Sequence, residues 1–298
     1  MIMHQDFFNK VILGTAKIGI SDYGFSSSSS YLSCFELFRN AAESGVSTLD
    51  TSPRYGNAEE IIGEFHGESD NTFLISTKID DLVPNDAGSE DKIFRSVERS
   101  IARTKVSAIE CVYLHQNDIE IISDKKILSA LSKLKNRGMV KKTGTSIYSY
   151  EECEFSLTCD VYDVIQIPLS IMDSHIYSKL VDNYSLISKE IIARSIFLQG
   201  TLLNRNDIWN KVKQAGAMTD YLSQLDSLIE TYGIDMLSLA CSFVLSLKNV
   251  SSFIVGTASQ ENLANIIKAS QLSLSDELIG KVKKLSDEYK VWGNPRNW

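Results

Sequence analysis

The chain has 298 residues, a formal net charge of −8, and a composition that is 43% hydrophobic and 23% charged. This balance is typical of a globular protein that can bury a large core. The acidic charge argues against a nucleic-acid partner, which usually requires a basic surface, and no run of Lys and Arg predicts binding to an anionic membrane.

The cysteine pattern and the N-terminus bear on the compartment. The chain has five cysteines and no C-x-x-C pair, which predicts reduced thiols. The N-terminal segment is too polar for a signal peptide, and no apolar stretch approaches the roughly 18 residues of a membrane span. We therefore expect a cytoplasmic protein that acts on a small molecule, without a nucleic-acid or membrane partner, as a monomer or weak homo-oligomer.

Eight short apolar segments alternate with longer amphipathic segments and predict eight β-strands. In chain order they cover residues 10–15, 46–51, 73–78, 109–115, 140–146, 163–167, 190–194 and 251–256. Helical periodicity is clearest in the intervening segments 91–106 and 124–138. Strands joined through helices are parallel and buried on both faces. Eight such units predict an α/β fold, the closed (β/α)₈ barrel, as a single domain over residues 1–298.

Four further segments fall outside this regular alternation. Residues 24–32 are rich in Ser and predict a flexible loop. Residues 199–234 exceed an ordinary connection and predict an excursion over one barrel end. The pattern at 275–289 predicts an additional C-terminal helix, and the tail 291–298, with two Trp and one Pro, predicts an ordered loop.

Four ionisable side chains lie at or just after the ends of consecutive predicted strands. Asp50 ends the second strand, Lys78 the third and His115 the fourth, while Tyr55 follows the second. The C-terminal ends of barrel strands face one mouth, so we predict that these groups converge on a single site. The alternative is a structural set: an Asp50–Lys78 ion pair, a packed Tyr55 and a buried His115. The other histidines, at positions 4, 66 and 175, show no ligand spacing.

The motif around these residues resembles that of the aldo-keto reductase family. "DTSPRYGNAEEIIG", "ISTK" and "VYLH" reproduce its D-T-x-x-x-Y-G-x-x-E pattern, strand-end Lys and strand-end His. Weaker similarity continues through "GTS", "IQ", "ARS" and "IVGTASQENLANII". The resemblance implies a barrel enzyme that moves a hydride between a nicotinamide cofactor and a carbonyl or alcohol, with no metal.

The resemblance also implies a role for each of the four groups. Tyr55 would exchange the proton with the substrate oxygen, and the Lys78 ammonium would stabilise its phenolate form. Asp50 would pair with and orient Lys78. His115 would orient the substrate oxygen and stabilise its developing charge.

A dinucleotide site without a G-x-G-x-x-G turn is implied in the same way. Ser146 and Gln166 would hold the nicotinamide carboxamide. Arg194 stands where many members stack an aromatic ring on the nicotinamide, and a planar guanidinium can also lie on a flat ring. The full predicted set is Gly14, Thr15, Ser146, Gln166, Arg194, Ser195, Leu198, Gly200, Gly256, Thr257, Asn262 and Asn265.

The segment that follows strand eight bears on the choice between NAD and NADP. Family members that prefer NADP place basic residues shortly after the strand, whereas here no Lys or Arg occurs between Gly256 and Lys268. A 2′-phosphate is usually bound through charge-assisted bonds from Arg or Lys. We therefore predict NAD, or a relaxed choice, unless a residue such as Arg205 reaches the adenosine.

The substrate is the least constrained part of the prediction. Arg54, beside Tyr55, would bind a carboxylate, phosphate or hydroxyl group, or would be a solvated turn residue. A polar rim with few aromatic residues favours a sugar or small hydroxy-aldehyde. Two alternatives remain open: a non-catalytic nucleotide-binding sensor or regulatory subunit, and a lyase or aldolase that uses Lys78 as a Schiff-base nucleophile.

Overall fold

The computed structural model describes residues 10–20, 31–184, 188–200, 202–203 and 215–288. The predicted C-terminal tail, Arg205 and most of the predicted loop 24–32 lie outside these residues. The last two residues of that loop, Tyr31 and Leu32, are already helical, so the loop prediction is wrong there.

Eight parallel strands form a closed barrel in chain order, which confirms the predicted fold. They are β1 (Val11–Gly14), β2 (Thr48–Asp50), β3 (Leu74–Ile79), β4 (Ile109–Leu114), β5 (Val140–Ser146), β6 (Val164–Pro168), β7 (Glu190–Arg194) and β8 (Val250–Gly256). The barrel closes where β8 pairs with β1, with Gly14 opposite Gly256. The sequence prediction differs most at β2, which begins at Thr48 and not at residue 46.

Helices connect the strands on the outside of the barrel. They are α1 (Ala16–Gly19), α2 (Tyr31–Glu43), α3 (Ala58–Glu68), α4 (Ser89–Thr104), α5 (Ile119–Ile122), α6 (Lys125–Asn136), α7 (Tyr150–Thr158), α8 (His175–Asn183), α9 (Ala215–Tyr232), α10 (Met236–Ser246), α11 (Gln260–Ala269) and α12 (Asp276–Glu288). The predicted C-terminal helix is α12, and α9 occupies the second half of the predicted excursion.

Local chemistry explains the start of α6 and the end of α4, the two helices whose periodicity is clearest in the sequence. Asp124 caps α6, because its carboxylate accepts hydrogen bonds from the backbone N–H groups of Lys126 and Ile127. Helix α4 stops at Thr104, before the end predicted from periodicity, because Lys105 adopts a left-handed conformation with φ 56°.

Alternate residues of β4 belong to two different parts of the core. Val112 and Leu114 pack in the large cluster between the barrel and its helices. Cys111 and Tyr113 belong to a smaller cluster inside the barrel. The Tyr113 ring requires Gly144, because a Cβ there would lie 2.7 Å from it. Apolar burial of this kind, at about 25 cal/mol per Å², holds the strand ends in fixed positions.

Two further observations concern the chain as a whole. All five cysteines are free. Among the described residues, no single helix has the length and apolar character to cross a membrane, although the bent pair Thr219–Tyr232 and Met236–Ser246, at 91°, meets that test by length and composition.

Candidate active site

A cleft of about 680 Å³ opens at the C-terminal ends of the strands. Its volume lies in the roughly 300–1,000 Å³ range of small-molecule sites. Asp50, Tyr55, Lys78 and His115 all line it. The strand-end argument therefore brings the four predicted groups to one place, although β3 continues one residue beyond Lys78.

Asp50 and Lys78 form a buried ion pair between neighbouring strands. Lys78 Nζ lies 2.6 Å from Asp50 Oδ1 and donates a second hydrogen bond to the Thr51 carbonyl at 2.8 Å. Burial alone would lower the pKa of Lys78, but the negative charge of Asp50, with Tyr55 nearby, outweighs burial and raises that pKa. Lys78 therefore stays an ammonium at neutral pH, which opposes a Schiff-base role.

The second carboxylate oxygen of Asp50 is bound by Gln166. The side-chain amide of Gln166 donates from Nε2 to Asp50 Oδ2 at 2.8 Å. Sequence reasoning assigned Gln166 to the nicotinamide and missed this contact. The amide thus also fixes the carboxylate that holds Lys78.

Tyr55 lies against the ammonium of Lys78. Lys78 Nζ is 4.9 Å from the centroid of the Tyr55 ring. Two glycines allow the Tyr55 loop to approach α1 this closely. A Cβ on Gly19 would lie 1.7 Å from the Tyr55 carbonyl oxygen, and a Cβ on Gly56, where φ is +54°, would lie 2.0 Å from the Gly19 oxygen.

His115 lies beside Tyr55 in the cleft, and its ring is close to the carboxylate of Asp80. The two rings are perpendicular, with centroids 6.4 Å apart. His115 Nδ1 lies 2.9 Å from Asp80 Oδ2. Burial and then the positive charge of Lys78 lower the pKa of His115, against the opposing effect of Asp80. The imidazole is therefore neutral at neutral pH.

Arg54 is tied to carboxylates of its own chain. Its Nε lies 2.5 Å from Asp80 Oδ2, and its Nη2 lies 2.8 Å from Asp81 Oδ1. Its side chain is 56% exposed and does not belong to the cleft lining. The structure thus gives Arg54 a role in holding Asp80, and contact with substrate stays a prediction.

Most of the residues predicted to bind a dinucleotide line the same cleft. These are Gly14, Ser146, Gln166, Arg194, Ser195, Gly200, Gly256, Thr257, Asn262 and Asn265. Thr15 and Leu198 do not. Thr15 is fully buried and donates from its N–H and Oγ1 to the Asp50 carbonyl, at 2.9 and 3.2 Å. Leu198 packs into the core.

Arg194 is stacked on a residue that sequence reasoning missed. Its guanidinium carbon lies 3.8 Å from the centroid of the Tyr148 ring, and its Nη2 donates to the Ile147 carbonyl at 2.5 Å. Tyr148 also lines the cleft. One face of the guanidinium is thus covered by Tyr148. The position of Tyr148, two residues after Ser146 at the same strand end, could have predicted its place in the cleft.

Lys17 is a second missed residue of the cleft. Burial lowers its pKa. Its position just after strand one, where side chains face the barrel mouth, could have predicted this place in the cleft. Lys17 adds a cation to a lining that otherwise draws its positive charge, among the described residues, from Lys78 and Arg194.

A model of the Aldo/keto reductase family matches residues 10–287. The chain belongs to the aldo/keto reductase family. It is 33% identical over 122 residues to D-arabinose 1-dehydrogenase of Saccharomyces cerevisiae, covering 38% of this chain and 36% of the yeast protein. It is 23% identical over 264 residues to aldo-keto reductase YhdN of Bacillus subtilis, covering 80% and 77%.

A solved structure shares the barrel of this aldo-keto reductase. Glycerol dehydrogenase AKR11B4 of Gluconobacter oxydans superposes with a TM-score of 0.76 at 22% identity, covering 98% of each chain. At this identity the likeness concerns the fold. Family membership itself makes the protein an aldo-keto reductase family oxidoreductase, for which the family implies NAD(P)H and a small carbonyl substrate.

Proposed function

We propose that this protein interconverts an aldehyde or ketone with the corresponding alcohol, with Tyr55 as the group that exchanges the proton. The observation that carries the proposal is the Lys78 ammonium, 4.9 Å from the Tyr55 ring centroid and anchored at 2.6 Å to Asp50. A fixed positive charge beside a phenol stabilises the negative charge that develops on its oxygen while the proton is transferred.

Each remaining group has a defined part in this chemistry. Asp50, held by Gln166 and Lys78, keeps the ammonium in place. His115, whose ring is perpendicular to that of Tyr55, hydrogen-bonds the substrate oxygen. A nicotinamide, when bound, supplies or accepts the hydride. The buried ion pair is formed before substrate arrives, so little reorganisation is needed during reaction.

The cleft residues fit an extended dinucleotide. Gly256 lines the cleft, and a Cβ on it would meet only the Gly14 oxygen, at 3.8 Å, so a side chain here would fill open space that a cofactor could occupy. Lys17 offers positive charge for the phosphates, and the first turn of α11 presents Asn262. Ser146 and Gln166 suit the carboxamide.

We propose NAD, or a relaxed choice, as the cofactor preference. The segment after β8 contributes three polar side chains to the cleft lining, and all three are uncharged: Thr257, Asn262 and Asn265. They can bind ribose hydroxyls but offer no ion pair to a 2′-phosphate. The adenosine end therefore suits the cofactor that lacks this phosphate.

For the substrate we propose a sugar or a small hydroxy-aldehyde, in the manner of an aldose dehydrogenase. The partial match to the yeast D-arabinose 1-dehydrogenase supports this class. The cleft also offers hydroxyl, amide and imidazole groups around Tyr55, which suit a polyhydroxylated molecule.

The test combines binding and turnover. NADH and NADPH are titrated against the enzyme, and a panel of aldoses, hydroxy-aldehydes and the matching alcohols is then followed by the absorbance of the reduced nicotinamide. Turnover of at least one pair supports the proposal. Tight nucleotide binding without turnover of any member would overturn it in favour of a non-catalytic sensor.

A further inference from the structure

Arg194 reaches from the end of β7 across the end of β6 to the end of β5. It is the last residue of β7, and β6 lies between β5 and β7 in the barrel. Its Nη2 nevertheless donates to the Ile147 carbonyl at 2.5 Å, just beyond β5. The Ile147 N–H in turn donates to the Gln166 carbonyl at 3.0 Å. The guanidinium therefore crosses the barrel mouth close to Gln166.

One face of this guanidinium is covered by an aromatic ring. The guanidinium carbon lies 3.8 Å from the centroid of the Tyr148 ring, so a second planar group could stack only on the opposite face. Arg194 is half-buried and lines the cleft, as Tyr148 does. A flat ring that enters the cleft beside Gln166 can therefore lie on the guanidinium.

The hydride step requires the nicotinamide to lie in this part of the cleft. A hydride moves only between atoms that are in contact, and the oxygen of the same substrate must reach Tyr55. Tyr55 lies against the ammonium of Lys78, and Asp50 joins Lys78 to Gln166. The reacting end of the cofactor must therefore lie near Gln166, and hence near Arg194.

The two redox forms of the nicotinamide differ in charge, since the oxidised ring is a cation and the reduced ring is neutral. An Arg side chain stays protonated in proteins, and two like charges in contact repel strongly where water is excluded. Lys78 is also a cation, but it is offset by Asp50, the only carboxylate among the described residues of the cleft lining. Contact with Arg194 should therefore weaken binding of the oxidised form and not of the reduced form.

We propose that Arg194, held by Tyr148 and the Ile147 carbonyl, is a specificity-determining residue that makes the cleft bind the reduced nicotinamide more tightly than the oxidised one. This inference rests on the proposed function and deepens it, because it assigns a favoured direction to the hydride. When an alcohol is oxidised, its C–H bond breaks and the hydrogen moves with the electron pair to the nicotinamide. The O–H proton leaves through Tyr55, and the ring loses its positive charge. The equilibrium on the enzyme therefore favours the carbonyl product and the reduced cofactor, which suits a sugar dehydrogenase.

The test compares three ligands by calorimetry at neutral pH: NAD⁺, NADH, and ADP-ribose, which lacks the nicotinamide. In the wild type we expect the Kd of NAD⁺ to be at least about tenfold higher than that of NADH. Arg194→Gln keeps a planar polar group and removes the charge. It should lower the ratio of the two Kd values by about tenfold and leave the Kd of ADP-ribose unchanged.

Three results would overturn the inference. The first is a wild-type Kd for NAD⁺ equal to or lower than that for NADH, which decides the question even if Arg194→Gln does not fold. The second is an unchanged ratio in Arg194→Gln. The third is weaker binding of ADP-ribose in Arg194→Gln, since this would mean that Arg194 contacts the phosphates and not the nicotinamide.

Two matched variants serve as controls. Arg194→Lys keeps the positive charge and loses the planar group, so it should keep most of the wild-type ratio. Lys17→Gln removes another cation of the cleft, just beyond β1 and two strands away from β7. It should weaken all three ligands alike and leave the ratio unchanged. A fall in the ratio as large as that in Arg194→Gln would overturn the inference, because the general positive charge of the cleft would then explain it.

Turnover distinguishes a failure of this inference from a failure of the proposed function. Turnover with equal affinity for the two redox forms would refute the inference alone. Tight binding without turnover of any substrate would count against the proposed function, and the ratio of Kd values would still decide the role of Arg194. No binding of any nicotinamide nucleotide would refute both.

Discussion

Gln166 donates a hydrogen bond from Nε2 to Oδ2 of Asp50 at 2.8 Å, across 116 positions of the chain. Because Lys78 occupies the other oxygen at 2.6 Å, the carboxylate links β6 to the ammonium on β3. The residue expected to hold the nicotinamide and the residue expected to activate Tyr55 therefore share one anchor. A change at the anchor should affect cofactor binding and proton transfer together.

The effects of the buried Asp50–Lys78 ion pair on catalysis and on stability can be measured separately. Lys78→Met leaves the Asp50 carboxylate without its cation in a site that is about 5% exposed. Breaking a buried pair in this way costs about 3–5 kcal/mol. Lys78→Met should therefore lower both the urea midpoint and kcat, and kcat should fall at least about 100-fold because the charge beside Tyr55 is lost.

The double variant Asp50→Asn/Lys78→Met is the control for that experiment. It removes both charges, so much of the stability should return while kcat stays low. Recovery of activity together with stability would show that Lys78 has only a structural role.

Tyr55→Phe should remove carbonyl reduction and leave cofactor binding nearly unchanged. The substitution keeps the ring against the Lys78 ammonium and deletes only the hydroxyl, so packing changes little. General acid–base catalysis contributes about 10²–10⁴-fold, and the loss should be of that order. Rate and cofactor Kd are measured on the same preparation. Retention of more than a few per cent of kcat would contradict the assignment of Tyr55.

The convergence of the four candidate groups on one cleft could be predicted because it depends on topology. Once eight strand–helix units are recognised, strand-end residues such as Asp50, Lys78 and His115 must face one mouth, whatever the details of packing. The fold follows from the same alternation. The predicted and observed strand bounds differ only at strand ends, as at β2. A strand ends where its hydrogen bonds to the neighbouring strand stop, and the sequence of one segment does not show this.

The missed residues depend on tertiary contacts that no single segment encodes. Asp80 reads as an ordinary loop residue until the loop is seen pinned by Gln116 beside His115. Arg194 was expected to lie on the nicotinamide, but a chain can stack a guanidinium on any nearby ring, and Tyr148 is such a ring. These choices depend on loop direction and rotamers, which periodicity does not report.

His66 gives the fold a specific sensitivity to acid. Its Nδ1 bonds to the Thr104 carbonyl at 2.8 Å, and its Nε2 accepts the Phe73 N–H at 3.1 Å, so the folded state requires the neutral ring. Burial lowers the pKa of His66, with the Thr104 bond opposing. Between the folded and unfolded pKa values the unfolded chain binds more protons, so stability must fall as pH drops below about 6.5 and level off below the folded pKa.

The measurement is the urea midpoint of the wild type and of His66→Gln, which cannot take up a proton, over the range from about pH 7.5 to pH 5. The wild type should lose stability more steeply than the variant as pH falls. Parallel curves for the two proteins would mean that His66 stays unprotonated in both states or contributes nothing to the linkage.

The proposed cofactor preference rests on one turn of helix α11. Asn262 and Asn265 line the cleft there and carry no charge. A hydrogen bond to a charged group contributes about 1.5–3 kcal/mol, and each 1.4 kcal/mol is about tenfold in affinity. Without such a bond, NADPH should not be favoured over NADH by more than about tenfold. Asn262→Arg should shift the ratio of dissociation constants toward NADPH by about tenfold or more.

Gln260→Arg is the matched control, since it adds the same charge to the same helix at a residue outside the cleft lining. If general attraction for the extra phosphate were enough, both variants would shift the ratio equally. If the Asn262 position is decisive, only Asn262→Arg will do so. A wild-type dissociation constant about a hundredfold or more tighter for NADPH, equal to roughly 2.7 kcal/mol, would contradict the prediction. The cation responsible would then be sought outside the described residues, with Arg205 the first candidate.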